Sequence, residues 1–379
     1  MKILFVNEYD LSRPVSGAEY SQMALVEGLR AVGQAVEIFS PGWKKNQPGR
    51  ELSPLWFNNL FYYLYSAWQI SRQKFDLIHV HGKYILPGAV MAGWLMSKPV
   101  VVTVRDFKFL CPLALCFTQE QEKCTFPYFI NHEISEYQKR YAGGGKFKLI
   151  LAKLWQYQLK WWLNRCQKII AVSPQLAQIY RNNGVKKVTS IYNLPPGAGK
   201  IGQGSDRPII LSVGRLSYGK GTDVLIEVFK KLKKRLPAAE LYLAGNKTAS
   251  FQSEFPDGVR YFGSITHAET LKLYSQAQVF TLLSRWPEPL SRAGLEALSF
   301  GLPIVASDRG GNQELIQENG YLVDIRRPQN IAGKLYRILS DKKQRIKFSA
   351  AGLKLLARCF NRDKIIKSHL ALYQEIIHQ

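Results

Sequence analysis

The stretch Glu288-Pro-Leu-Ser-Arg-Ala-Gly-Leu-Glu296 runs without a break into ALSFGLPIVAS, residues 297–307. Ser291 to Phe300 reads as a helix, Gly301 as the start of a turn, and Pro303 to Ala306 as a short buried strand. A helix that delivers the chain directly into an apolar strand is the repeating unit of a parallel sheet wrapped by crossover helices. The two carboxylates stand eight positions apart, about two turns at ~3.6 residues per turn, one at the mouth of a loop and one on the helix it opens. Such a pair can hold the two ends of one elongated ligand. Leu290, Ser291 and Arg292 would place backbone N–H groups at a helix N-terminus, where negative charge is held favourably. A nucleotide-diphosphate sugar meets these demands, although the same spacing also occurs on ordinary solvated helices.

The same unit recurs on both sides of this stretch. Upstream, strands are expected at Ile209 to Val213, Glu240 to Ala244, Arg260 to Phe262 and Val279 to Leu283, with helices at Thr222 to Leu236 and His267 to Gln276. Farther back, strands at Lys2 to Val6, Ala35 to Phe39, Leu77 to Val80, Val100 to Val104, Lys168 to Val172 and Val188 to Ile191 follow the same grammar, with the first helix at Gln22 to Val32. NLPPGAGKIGQGSDRP, residues 193–208, carries enough Pro and Gly to break any element and reads as a linker. The expected architecture is therefore α/β: two Rossmann-like, doubly wound parallel-sheet domains facing a central cleft. They cover residues 1–193 and 194–359, and a last helix at about 360–379 packs back on the first.

Composition agrees with two domains, because 379 residues exceed what one hydrophobic core usually organises. No apolar run has the ~18–20 residues of a membrane span, and MKILFVNEYD turns polar too soon for a signal peptide. A soluble, cytoplasmic protein is the expectation. Five cysteines, an odd number, suit reduced thiols, and Cys111, Cys116 and Cys124 follow no short zinc spacing. The net charge of +24 predicts attraction to phosphate-bearing partners without choosing among nucleotide, lipid and nucleic acid. The cluster Lys230, Lys231, Lys233, Lys234 and Arg235 suits a solvated helix C-terminus.

Ligands of open parallel sheets gather beyond the carboxyl ends of the strands. The loop after Val213, GRLSYGKG from Gly214 to Gly221, carries Arg215 and Lys220 ahead of a helix start at Thr222 and Asp223 that reads as well capped. Two cations converging on a diphosphate would neutralise charge that a metal otherwise must, each charged hydrogen bond contributing ~1.5–3 kcal/mol. No Asp-x-Asp pair is present to hold such a metal, so departure of a nucleotide without metal or other cofactor is the economical reading. In the first half, SGAE (Ser16 to Glu19) precedes the first helix, and Gly17 would let backbone approach a phosphate. The dinucleotide pattern G-x-G-x-x-G is missing there, which weakens a hydride-transfer enzyme. His79 and His81 end the strand LIHVHG, and Arg105 and Asp106 follow VVVTV. His79 reads as structural; Glu19, His81, Arg105 and Asp106 are candidates for the acceptor side of the cleft.

With these pieces assembled, the chain resembles the retaining glycosyltransferases of family 4, also called group 1 glycosyl transferases, which have the GT-B fold. The resemblance rests on SGAEYSQMALVEGLRAVGQAVEIFSP, FDLIHVHGKY, KPVVVTVRDFKFLCP, KIIAVSPQLAQIY, ILSVGRLSYGKGTDVLIEVF, LYLAGN and SRWPEPLSRAGLEALSFGLPIVASDRGGNQELI. It implies that Arg215 and Lys220 hold the donor diphosphate and stabilise the leaving group. Glu288 is then expected near the donor sugar's hydroxyls and Glu296 near the ribose, with backbone N–H groups of Leu290 and Ser291 on sugar or phosphate. Gly17 and Gly214 would line the donor site, and the base would lie against Gly245 and Gly263. The resemblance also implies a same-face reaction in which the departing phosphate takes the acceptor's proton. Two departures stand out: Arg105-Asp106 where many members have His-Asp, and Leu290-Ser291 where Phe-Gly is common. An arginine accepts no proton at neutral pH, so its role there would be electrostatic, aiding the donor or gripping an anionic acceptor.

KFKLILAKLWQYQLKWWLNR, residues 146–165, groups Phe147, Ile150, Leu151, Leu154, Trp155, Trp161 and Trp162 on one expected face, with Lys153, Gln156, Lys160 and Asn164 opposite. That stripe either lies on an anionic membrane or packs on the first sheet as a crossover helix does. The aromatic run LWFNNLFYYLYSAW, residues 55–68, allows the same two readings. Taken with the charge, a lipid-linked sugar on the cytoplasmic membrane face is the favoured acceptor. The expected activity is transfer from a UDP, GDP or ADP sugar to a lipid-linked or growing surface glycan. An inactive sugar-nucleotide-binding relative and a basic nucleic-acid-binding protein are the alternatives; for the latter the charge speaks but no motif does.

Overall fold

A computed structural model describes residues 1–8, 11, 17–40, 56–111, 146–195, 207–248, 251 and 254–378 of the protein. Cys116, Cys124, Ser16 and most of the 193–208 linker lie outside the described residues.

The first half runs β1 (Lys2–Val6), α1 (Gly17–Ala31), β2 (Ala35–Phe39), α2 (Trp56–Ser71), β3 (Leu77–Val80), α3 (Leu86–Met96), β4 (Val100–Val104), α4 (Lys146–Leu163), β5 (Lys168–Ala171), α5 (Pro174–Asn182) and β6 (Val188–Ser190). All pairings are parallel, in the order β2-β1-β3-β4-β5-β6. The second half repeats the plan: β7 (Ile209–Val213), α6 (Thr222–Lys233), β8 (Glu240–Ala244), β9 (Val259–Gly263), α7 (His267–Gln276), β10 (Val279–Leu282), α8 (Arg292–Ser299), β11 (Ile304–Ser307) and β12 (Gly320–Val323). Its order is β12-β11-β10-β7-β8-β9, again parallel. Helices α9 (Pro328–Ser340), α10 (Lys342–Cys359) and α11 (Arg362–Ile377) end the chain.

The strands that read as unbroken apolar runs are the interior ones. Every residue of β3, β4, β10 and β11 is buried, because helices cover both faces of each sheet. Leu4, Val6, Ile78 and Val102 face the layer of α2, α3 and α4, while Ile3, Phe5, Leu77 and Val101 face α1 and α11. Helix α11 buries Ile365, Ile366, Leu372, Tyr373 and Ile376 against the first sheet. At Gly28 of α1 a Cβ would stand 2.6 Å from Ile366 Cδ1, which shows how closely the two helices meet.

Three local expectations are corrected. Helix α1 begins at Gly17 rather than Gln22, so Gly17 and Glu19 lie in its first turn and not in a preceding loop. Helix α6 has no side-chain cap: Gly221 is its N-cap at φ +66°, where a Cβ would collide with the Leu283 carbonyl. Helix α4 divides differently from the expected faces: Ile150 and Trp162 of the apolar stripe pack on the core, but Leu154 and Trp161 do not. Lys153 and Gln156 are buried while Leu154 and Trp161 are exposed. The reason is that Lys153 Nζ donates to the Leu110 carbonyl and Gln156 Nε2 to that of Lys108, so the donors of both side chains find acceptors inside. Leu159 and Leu163 complete the inward face.

Candidate functional site

The carboxyl ends of β7, β8 and β9 terminate in glycines that permit close backbone approach. Gly214 N–H donates to the Ala244 carbonyl at 2.9 Å and Gly245 N–H to the Gly263 carbonyl at 2.7 Å. Gly245 has φ +132°, and a Cβ there would stand 2.1 Å from the Gly214 oxygen, so only glycine fits. The three turns form one rim of backbone beside the loop that carries Arg215 and Lys220.

That loop is locked to the one after β10. Arg285 donates to both oxygens of Asp223 at 2.6 and 2.7 Å and stacks on Tyr218, its guanidinium 3.5 Å from the ring centre. Gly219 lies against the Trp286 ring, where a Cβ would be 1.6 Å from the nearest carbon. The interlock presents Lys220 to Glu288: Nζ donates to Oε1 at 2.6 Å. The same oxygen accepts from Trp286 Nε1 at 3.0 Å and from the Ser284 hydroxyl. Glu288 is 5% exposed, and three donors including a cation offset the cost of burying its charge. Gly310 and Gly311 cradle its backbone, with Gly311 N–H donating to the Glu288 carbonyl at 2.5 Å. Arg215, by contrast, is exposed and has no ion pair among the described residues. A shallow hollow opens between Gly214, Arg215, Lys220 and Ser284.

One loop farther along, Ser291 caps α8, its hydroxyl accepting from Gly294 N–H at 3.2 Å, and Leu290 is buried beside it. Glu296 is also buried, and its Oε1 accepts from Arg292 Nε and His267 Nε2, each at 3.1 Å. The first domain reaches this cluster. Tyr20 stacks on His267 with ring centres 5.4 Å apart and lies 5.4 Å from the Arg292 guanidinium carbon. Arg292 also donates to Ser21 at 3.4 Å. A Cβ at Gly17 would stand 3.3 Å from Arg292 Cδ, so the close approach at Gly17 is made to this arginine. Ser173, after β5, donates to the Pro289 carbonyl at 2.5 Å and ties the Glu288 loop to the first domain.

On the first domain's side, Arg105 donates to His81 Nδ1 at 2.7 Å. A guanidinium can only donate, so the neutral imidazole carries its proton on Nε2, a buried atom without a hydrogen-bond partner among the described residues. Arg105 Nε is likewise buried and unpartnered. Burial lowers the Arg105 pKa to about 10 and holds His81 well below the ordinary imidazole value. His79 is fully buried, 2.6 Å from Thr103 Oγ1 and 2.7 Å from the Tyr373 hydroxyl, which is a structural arrangement. The Asp106 carboxylate accepts from Lys108 N–H at 2.8 Å and turns along its own loop. Glu19 sits half-buried in the first turn of α1.

The structure thus gathers Lys220 with Glu288 and pairs His81 with Arg105. It also shows residues that sequence reasoning missed. His267, Trp286, Ser284 and Arg285 hold the two carboxylates and the basic loop in place. Glu8, just beyond β1, accepts the Tyr84 N–H, and burial raises its pKa. A single Glu after a strand, or a single His opening a helix, carries no spacing that marks it; the WPEP segment was the one signal available for Trp286.

Residues 198–355 match the sequence model of the family described as Glycosyl transferases group 1, and residues 15–194 that of Glycosyltransferase Family 4. Spore coat protein SA of Bacillus subtilis (strain 168) is 28% identical over 185 residues, 45% of this chain and 49% of the relative. The chain spans about half the length of the first curated relatives it matches. The lipopolysaccharide core biosynthesis glycosyltransferase LpsE of Rhizobium meliloti (strain 1021) is 25% identical over 304 residues, 74% of this chain and 87% of LpsE. Among solved structures, that of HepE from Anabaena in complex with UDP and glucose has a TM-score of 0.66 at 18% identity, over 99% of this chain and 100% of the other. The two family matches fall one on each parallel sheet of the two-domain fold and together run from residue 15 to residue 355 with only 195–197 between them; the chain belongs to the group 1, or family 4, glycosyl transferases.

Proposed function

We propose that the protein is a retaining, metal-independent glycosyltransferase that moves a sugar from a nucleotide-diphosphate sugar to a lipid-linked or growing surface glycan. The observation that carries this reading is the Lys220–Glu288 pair at 2.6 Å beside the exposed Arg215, which has no ion pair among the described residues. An ammonium has three donors. One serves Glu288, leaving two for the oxygens of a diphosphate, and Arg215 supplies a second cation on the same loop. Negative charge develops on the departing diphosphate, and cations placed there in advance lower the barrier without reorganising. Glu288 offers its second oxygen to the hydroxyls of the donor sugar, and Glu296 is the acceptor for a ribose hydroxyl. The glycine rim at Gly214, Gly245 and Gly263 leaves room for the base. Acceptor hydroxyl and anomeric carbon meet on the same face, the leaving phosphate takes the hydroxyl proton, and the protein contributes position and charge.

On the acceptor side, the buried Arg105–His81 unit carries a cation with no carboxylate bonded to it among the described residues. It suits an anionic group on the acceptor, such as the phosphate of a lipid carrier. The relative LpsE, named for lipopolysaccharide core biosynthesis, supports a glycan of the cell surface. The test is thermal-shift titration with UDP, GDP and ADP sugars on the native protein, Lys220→Ala and Glu296→Gln. Stabilisation by one nucleotide class that both variants lose supports the donor site. No stabilisation by any of them, with turnover also absent, would sink the reading.

A further inference from the structure

Helices α2, α3 and α4 cover one face of the first sheet as a single layer. Gly88 of α3 lets α2 approach so closely that a Cβ would stand 2.0 Å from Ser66 Oγ. Trp94, near the end of α3, meets Trp162 of α4 with ring centres 5.6 Å apart. The inner side of this layer is ordinary core, with Tyr62, Leu86 and Leu163 buried. The outer side is not an ordinary surface. On α2, Phe61, Leu64 and Trp68 are 67, 48 and 51% exposed, and on α4, Leu154, Tyr157 and Trp161 are 50, 44 and 45% exposed. Both sets have the spacing i, i+3, i+7, one stripe along one helical face. Between them α3 contributes Trp94 and Leu95, at 50 and 71%. The two outward stripes, with Trp94 and Leu95 between them, form the kind of apolar area that marks an interaction surface.

The charge of the layer is equally one-sided. None of the three helices contains Asp or Glu. Cations stand beside the exposed rings: Arg72 at 4.9 Å from the Trp68 centroid, Arg165 at 4.3 Å from Trp161 and Lys160 at 5.6 Å from Tyr157. We propose that this layer docks the protein on an anionic phospholipid bilayer, the aromatic and aliphatic side chains entering the headgroup region and the cations meeting lipid phosphates. A bilayer offers apolar depth and negative charge in the same place. A second copy of this chain, also at +24, would set Arg72, Lys160 and Arg165 against the same cations, with no acid on these three helices to pair them. The surface also leads to the cleft: Trp155 of α4 stacks on Tyr84 with centroids 5.0 Å apart, and Tyr84 N–H is bound by Glu8. Docking on this face therefore delivers a lipid-borne acceptor to the loop that carries His81, a consequence that rests on the transferase reading, although docking itself does not.

The experiment is flotation of the full-length protein with vesicles of phosphatidylcholine alone and of equal parts phosphatidylcholine and phosphatidylglycerol, without nucleotide sugar. The expected result is recovery with the anionic vesicles about ten-fold or more above that with neutral ones, falling as salt rises. Leu95→Ser combined with Trp161→Ser should lower recovery about ten-fold, while circular dichroism stays that of the folded native protein, because neither side chain belongs to the buried core. Equal recovery with the two vesicle types, or unchanged flotation of the folded double variant, would overturn the proposal. So would light scattering that shows a dimer converted to monomer by the same substitutions. Donor-induced thermal stabilisation in the double variant is a separate readout, so failure of docking and failure of the transferase reading are distinguishable.

Discussion

Lys220 and Glu288, 68 positions apart in sequence, are joined by a 2.6 Å hydrogen-bonded ion pair that links the loop after β7 to the loop after β10. On the proposed function, the cation for a leaving phosphate and the acid facing the sugar are therefore set by each other. Lys220→Met is expected to lower kcat/KM by about 10²–10³-fold, the scale found when a charge-stabilising donor is removed from a transition state. It also leaves Glu288 buried without its counter-charge. Adding Glu288→Gln to Lys220→Met should restore melting temperature without restoring turnover. Steady-state kinetics and thermal melts on the single and double variants check both statements, and recovery of activity in the double variant would remove Lys220 from the mechanism.

Gly245 is expected to tolerate no side chain. Its φ of +132° is adverse for any L-residue, and a Cβ would lie 2.1 Å from the Gly214 oxygen. Gly245→Ala should cost ~2–4 kcal/mol of stability, the order of a strained backbone position plus a clash. Because the clash displaces the Gly214–Arg215 backbone, nucleotide affinity should fall with it. Denaturant unfolding and nucleotide titration of the same variant test this, and native values of both would show that the glycine rim is not required.

Acid should destabilise the first domain through its buried histidines. Burial lowers His369 to about 4 and holds His79 and His81 well below the ordinary value. A base whose folded pKa is depressed binds fewer protons folded than unfolded, so its contribution is intact above about 6.5 and is lost as pH falls toward the folded value. For His369 the drop from about 6.5 to about 4 corresponds to ~3 kcal/mol at full protonation. His369→Asn, which keeps a donor for the Ile365 carbonyl that accepts at 2.9 Å, should flatten the fall in melting temperature between pH 6.5 and 4. An unchanged slope would assign the acid sensitivity to other groups.

Turnover is expected to survive chelation. If Arg215 and Lys220 supply two positive charges to the diphosphate, as proposed, activity in excess EDTA should stay within about two-fold of the untreated enzyme, and Arg215→Ala should lower it about 10²-fold. A strict requirement for manganese or magnesium in a product assay would contradict this.

The fold was legible where chemistry is monotonous. VVVTV and LIHV have no polar face to offer, so they had to be interior parallel strands, and the turn from Phe300 to Pro303 had to join a helix to another such strand. The face of α4 was illegible because periodicity counts Lys153 and Gln156 as outward residues. It cannot see that carbonyls of Leu110 and Lys108, more than 40 positions away, wait to receive them. At the candidate site, Lys220 and Glu288 could be singled out by the glycine-bounded loop and the paired acids. His267 and Glu8 could not, since their relation to Glu296 and Tyr84 exists only after the strands have been ordered.

The last helix, α11, belongs to the first sheet. Ile365, Ile366 and Tyr373 fill the face formed by Ile3, Phe5 and Leu25, and the Tyr373 hydroxyl reaches His79 from 294 positions away. During synthesis the amino-terminal domain therefore emerges with one face of its sheet covered by α1 alone and completes that cover only when Arg362–Ile377 has left the ribosome. The carboxyl-terminal domain needs no such late partner, so the order of completion runs against the order of translation. A nascent chain stalled before Arg362 would carry a finished carboxyl-terminal sheet and an unsealed amino-terminal one, and quality control would meet the exposed apolar face of β1 and α1 first.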